Sequence, residues 1–191
     1  MNSISSLVAV VSIALLVLQS QQPTPQSPVV DYKTWVKVTP KLHEIHSYTY
    51  ALCRGASPED LEKERTNPHL TVTDMASLNI PKYIMVYVNK LGSRAMLHDK
   101  KPDFPVGSVI VKEKHPNPKS ATPELLTVMR KREKGFNPTH GDWEYLVLDG
   151  AAKKITSSGK LQNCQKCHER WKSTDFVSRE YLSEVLRERL K

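Results

Sequence analysis

The stretch Gly107-Ser-Val-Ile-Val-Lys-Glu113 decides the fold. Val109 and Val111 alternate with Ser108, Ile110 and Lys112, the period-two pattern of a strand whose two faces meet different surroundings. Three runs of the same character accompany it: Tyr83 to Asn89 (YIMVYVN), Leu125 to Arg130 (LLTVMR) and Trp143 to Leu148 (WEYLVL). All are rich in β-branched and aromatic residues, which suit a pleated, half-buried surface. Between them lie turn-forming stretches: Pro102 to Pro105, His115-Pro-Asn-Pro118, and Gly135-Phe-Asn-Pro138 through Gly141-Asp142. Strands in this order with such punctuation predict an antiparallel meander.

Helices flank the predicted sheet. After the last strand, Val177, Tyr181, Leu182, Val185 and Leu186 recur at helical intervals, with Arg179, Glu180, Glu184, Arg187 and Glu188 on the other side. This predicts an amphipathic C-terminal helix over Thr174 to Leu190, capped by Thr174 or Asp175. Upstream, Tyr32, Trp35 and Val36 fit one helical turn ending before Pro40, although their spacing also allows a short strand. Ser57-Pro58-Glu59-Asp60 resembles a helix start, giving a short charged helix to about Arg65. Residues 41–79 are otherwise the least readable part. The fold class expected is α+β: an antiparallel sheet core with a few flanking helices.

At 191 residues the chain has room for one ordinary domain and a leader. The first 22 residues carry no charge, and Leu7 to Leu18 is apolar but for Ser12. Twelve residues of helix rise about 18 Å, short of the roughly 30 Å of a bilayer core, which favours a secretory signal over a spanning helix. A retained N-terminal anchor is the alternative, since the leader lacks a basic start and a clean cleavage site. Residues 23–30 form a Pro-rich tether, and 31–191 the domain. The expected location is periplasmic or otherwise exported. The formal charge of +8 favours an acidic redox partner or a membrane surface. It does not indicate nucleic acid, because basic and acidic residues alternate.

Cys164-Gln165-Lys166-Cys167-His168 is a C-x-x-C-H motif. Two thiols spaced by two residues can add to the vinyl groups on one edge of a haem, and the following imidazole then ligates the iron. One covalent haem c is therefore expected, held by Cys164 and Cys167 with His168 as axial ligand. A zinc site would need two more ligands, improvised from Cys53 and His43 or His46. A redox C-x-x-C should open a helix inside a βαβ unit, which this order of elements lacks. A disulfide between Cys164 and Cys167 would leave His168 unexplained. Cys53 is left over and is read as a half-buried free thiol, with a ligand or an intermolecular disulfide as the alternative. Small all-helical electron carriers place the motif near the N-terminus, whereas here it follows four predicted strands.

Taken in order, Phe104-Pro-Val-Gly-Ser-Val-Ile-Val-Lys-Glu113, Gly141-Asp-Trp-Glu-Tyr145, CQKCH and Thr174-Asp-Phe-Val177 resemble the cytochrome P-460 family, with its relatives the cytochromes c-prime-beta. Tyr32 to Val38 is also similar to the family's opening segment. The resemblance implies a homodimeric β-sheet protein with a pentacoordinate c-haem and an open distal pocket. In the catalytic branch a lysine is bonded to the porphyrin and hydroxylamine is oxidised, with nitric oxide and nitrous oxide among the products. In the c-prime-beta branch that bond is absent, the pocket is apolar, and nitric oxide is bound or electrons are carried. The family's cross-linking lysine is matched here by Lys100, four residues before Phe104, with Lys101 beside it. As a solvated basic turn, the same pair would have no role at the haem. Glu144, Asp142, His140 and His69 are the candidate distal bases, and Phe104 and Phe136 either wall the pocket or belong to the core.

Overall fold

The computed structural model describes residues 27–45 and 82–191. The leader, His46, Cys53, His69 and the expected helix at 57–65 lie outside the described residues. In chain order the strands are β1 (Val36–Lys37), β2 (His43–Ile45), β3 (Lys82–Val88), β4 (Val109–His115), β5 (Leu125–Lys131), β6 (Trp143–Asp149) and β7 (Ile155–Gly159). The α-helices are α1 (Lys90–Leu97), α2 (Gln162–His168) and α3 (Glu184–Arg189). Every strand pairing is antiparallel, and the order across the sheet is β1-β3-β4-β5-β6-β7, with β2 also pairing β3. The four runs expected as strands are β3 to β6, each shifted by no more than two residues.

Alternation along these strands divides the protein into two cores. Ile84, Val86, Ile110, Met129, Trp143 and Tyr145 point to one face, where Phe104, Phe176 and Val177 cover them. Val109, Val111, Leu126, Val128, Leu146 and Leu148 point to the other and meet Val29 and Tyr32. Fully burying one such side chain stabilises by roughly 1.5–3 kcal/mol, so a one-residue slip of register would expose both sets at once. The N-terminal segment is a 3-10 turn at Tyr32–Thr34 followed by β1, so both readings of its spacing apply in succession. Tyr32 Oη donates to the buried Glu113 carboxylate (2.6 Å), fastening this segment to β4.

Four features differ from expectation, one of them being that the C-x-x-C-H motif itself lies on a helix, α2. Helix α1 was not anticipated: it is only eight residues long, it contains Gly92, and its start rests on Asn89, whose Oδ1 accepts from Gly92 N (3.1 Å). Strand β7 was also missed, because Ile155-Thr-Ser-Ser-Gly159 is an almost wholly exposed edge strand with no apolar alternation to detect. The C-terminal helix is real but much shorter than Thr174 to Leu190. Asp175 and Phe176 take left-handed φ values of 53° and 62°, which end the preceding 3-10 turn, and Ser183 caps α3 instead. Val177 (2% exposed) and Leu182 (4%) are buried as expected, but by irregular chain packed on the sheet. Among the described residues no helix is long and apolar enough to cross a membrane.

Asn89 links three elements. Besides capping α1 it accepts from Val109 N (3.1 Å) and donates to Gly107 O (2.9 Å), setting where β4 begins. Asn89→Ala is expected to lower the free energy of unfolding by about 2 kcal/mol, from the lost cap and the backbone groups left unpaired. Chemical denaturation checks this, and an unchanged midpoint would contradict the assignment.

Candidate functional site

Helix α2 carries the C-x-x-C-H motif. Cys164 and Cys167 are three residues apart and His168 is four from Cys164, so all three lie along one side of the helix. Gln165 anchors it from the other side, accepting from Asn137 Nδ2 (3.0 Å) and donating to Lys160 O (2.8 Å). The motif faces a cleft of about 780 Å³, a space that includes solvent at its mouth. Ile110, Lys112, Met129 and Tyr145 line the cleft from the sheet, and Trp171, Val177 and Tyr181 from the chain beyond α2. The Tyr145 and Trp171 rings pack 5.4 and 5.2 Å from the His168 ring.

His168 Nδ1 lies 2.7 Å from the Phe176 carbonyl oxygen. A carbonyl can only accept, so Nδ1 carries the proton and the Nε2 lone pair is left for a ligand. Burial, reinforced by the positive charge of Lys112, lowers the imidazolium pKa to about 4, so the ring is neutral at neutral pH. A neutral ring with Nδ1–H committed to a carbonyl is the form that binds a metal.

The Phe176 carbonyl is held by an unusual turn. Two consecutive non-glycine residues in the left-handed region cost roughly 1–2 kcal/mol each, and several contacts offset that cost. The Asp175 carboxylate accepts from Lys131 Nζ (2.7 and 2.8 Å) and from Phe104 N (2.9 Å). Trp143 Nε1 donates to Asp175 O (2.7 Å), and Phe176 N donates to Trp171 O (2.8 Å). Gly141 is needed alongside: a Cβ there would lie 2.6 Å from Asp175 Oδ1 and 2.9 Å from the Phe176 ring.

The residues fit a haem. Two thiols and an available imidazole nitrogen share one side of a helix, facing a mainly apolar cleft. The Tyr145 hydroxyl is buried there without a hydrogen-bond partner, an orphaned polar atom of the kind a bound polar group would satisfy. Burial, with the neighbouring thiols, pushes its ionisation far above the usual phenol range. Among the described residues no cluster of three or more His, Cys, Asp or Glu side chains could hold a metal ion without such a group.

The other nominated residues are elsewhere. Lys100 and Lys101 are exposed on the turn after α1 and do not line the cleft, whereas Lys112 does, with its Nζ 5.3 Å above the Tyr181 ring. The signal for Lys112 was present in the alternation that placed it on the same strand face as Ile110. Glu144 lies on the opposite face of the sheet, paired with Arg130 (2.7 Å) and Arg132 (2.7 Å). Asp142 Oδ1 accepts from the backbone of Gly135 and Asn137, and His140 pairs with Glu169 (3.2 Å). Phe104 is core, stacked edge-on against Trp143, and the cations of Arg132 and Lys160 lie 4.8 and 5.2 Å from the Phe136 ring centroid. His43 is on exposed β2 against the Tyr181 ring.

In comparisons with known proteins, the family model described as Cytochrome P460 matches residues 29–179. No curated protein matches the chain.

Glu144 gives a pH test of its placement. Burial raises the carboxyl pKa, but hydrogen bonds and charge from Arg132 and Arg130 outweigh it and the net shift is downward. A carboxyl whose folded pKa is depressed stabilises the fold above its unfolded pKa, and the contribution fades as pH falls through the folded value. Glu144→Gln should therefore lower stability at neutral pH and flatten the acid limb of the stability profile below about pH 4.5. Unchanged stability with lost activity would instead make Glu144 a cleft base.

Proposed function

The chain belongs to the cytochrome P460 family, whose cofactor is a haem, and on that premise we propose that it is an exported mono-haem c-type cytochrome oxidising hydroxylamine or a similar small nitrogen compound. One haem c would be attached through Cys164 and Cys167, with His168 supplying the one protein ligand of a pentacoordinate iron. The observation that carries this reading is the His168 Nδ1–Phe176 contact: it leaves Nε2 available beside two thiols lining the same cleft. When bound, the haem supplies a redox-active iron to which the nitrogen of the substrate can bind.

The chain supplies the setting. Val86, Ile110 and Met129 keep water from one side of the cleft and leave few polar groups to compete for the substrate. Removing electrons from hydroxylamine requires its protons to leave. Tyr145 and Tyr181 line the cleft and can pass a proton, and no carboxylate joins them among the described lining residues. Lys112 is the better candidate than Lys100 for the lysine–porphyrin bond, because it lines the cleft and Lys100 does not.

The charge distribution supports an acidic redox partner. Lys160, Lys166, Arg170 and Lys172 are exposed around the motif, with Glu169 the only acid from 160 to 172. A homodimer and an exported location accompany the family reading and the leader. The second reading is a non-catalytic protein that binds nitric oxide or carries electrons, and the largely apolar lining favours it.

Cys164→Ala with Cys167→Ala should abolish haem that survives denaturation, and retention of such haem would exclude the attachment. Proteolysis of the wild-type holoprotein should leave haem on the CQKCH peptide and also on a peptide containing Lys112. Hydroxylamine-dependent reduction of an added electron acceptor should accompany that second linkage. Haem on the CQKCH peptide alone, with no turnover and intact nitric oxide binding, would establish the second reading.

A further inference from the structure

Resting on the reading that His168 ligates the haem iron, we infer that the Lys131–Asp175 ion pair is a positioning device for that ligand and tunes the iron through it. Neither residue lines the cleft or touches the imidazole. They act through the backbone of the turn whose carbonyl the imidazole meets.

The chain of contacts is short. Lys131 ends β5, and its backbone is fixed by two bonds to the segment before β4: Gly107 N to Lys131 O (3.0 Å) and Lys131 N to Ser108 O (2.9 Å). Its Nζ sits 5.1 Å from the Trp143 ring centroid and binds both Asp175 carboxylate oxygens, and both partner side chains are only 11% exposed. A pair this shielded from water is weakly screened, so it holds the Asp175 side chain firmly. Asp175 is also held at its carbonyl by Trp143 and at its carboxylate by Phe104 N. Phe176 follows directly, with φ again positive, and its carbonyl lies 2.7 Å from His168 Nδ1. Fixing the carboxylate and carbonyl of Asp175 therefore fixes where the next carbonyl points.

That carbonyl governs the ligand's electron donation. An Nδ1–H drawn toward an acceptor makes the imidazole more basic at Nε2, strengthens its bond to iron and stabilises the oxidised metal. A loosened turn weakens the contact and reverses each effect. Asp175 is also a residue type that tolerates the left-handed region, and Asn shares that tolerance. Asp175→Asn thus removes the charge while keeping the backbone preference and the shape.

The test uses ferrous holoprotein and reads the iron–histidine stretching band by resonance Raman, together with the reduction potential. Asp175→Asn and Lys131→Gln are expected to move the band to lower frequency and the potential to more positive values. Lys131→Arg, which keeps the charge, should stay near wild type. Gly141→Ala presses on the same turn without altering any charge and should shift the band in the same direction. An unchanged band and potential in Lys131→Gln or Gly141→Ala, with haem still attached, would overturn the inference. A wild-type protein lacking covalent haem or an iron–histidine band would instead overturn the ligation on which it rests.

Discussion

The site depends on one hydrogen bond, from His168 Nδ1 to the carbonyl of Phe176. It sets the tautomer, orients the ring and joins helix α2 to the stretch that follows it. The carbonyl is available only because Asp175 and Phe176 both adopt a conformation that most side chains avoid. A strained turn persists when its surroundings over-determine it, and here they do so from several directions. Phe104 comes from the segment before β4, Lys131 from the end of β5, Gly141 from the turn before β6 and Trp143 from the start of β6. The scattered motifs that mark the sequence are thus parts of one contact set, which explains why they occur together.

The sheet keeps the chemistry apart from the charge that stabilises the fold. Alternation sends Ile110 and Lys112 toward the cleft and Val109, Val111 and Glu113 away from it. Glu144 is likewise turned away, where two arginines keep its carboxyl ionised despite burial. Glu113 and Glu144 are therefore withheld from the cleft side, and a lysine and tyrosine hydroxyls remain there. In a mainly apolar cleft such groups act on a small ligand without much competing solvent.

The central sheet was legible because β3 to β6 are buried on alternating faces, and burial leaves a period-two record in residue type. The motif stood out because its spacing is specific in itself, and the structure sets its three side chains along one side of α2. Two kinds of feature left weaker traces. β7 exposes nearly all of its residues, and α1 spans only eight residues and depends on one cap, so neither leaves a long apolar period. The stretch from Thr174 onward does carry an apolar period, yet it forms no helix before α3, because tertiary contacts to Asp175 and Phe176 override local preference. Lys112 was hidden differently: its face could be inferred from alternation, but its place in the cleft depends on where α2 packs. Lys100 matched by register along the chain, which carries no information about that packing.

The most direct test of the account is the visible spectrum of the purified ferric and ferrous protein, before and after denaturation. The account predicts a haem that stays with the denatured chain and, in the native ferrous protein, a five-coordinate spectrum with histidine as its only protein ligand. A haem extracted intact by acidic solvent, or a native ferrous spectrum with two strong protein ligands, would contradict it.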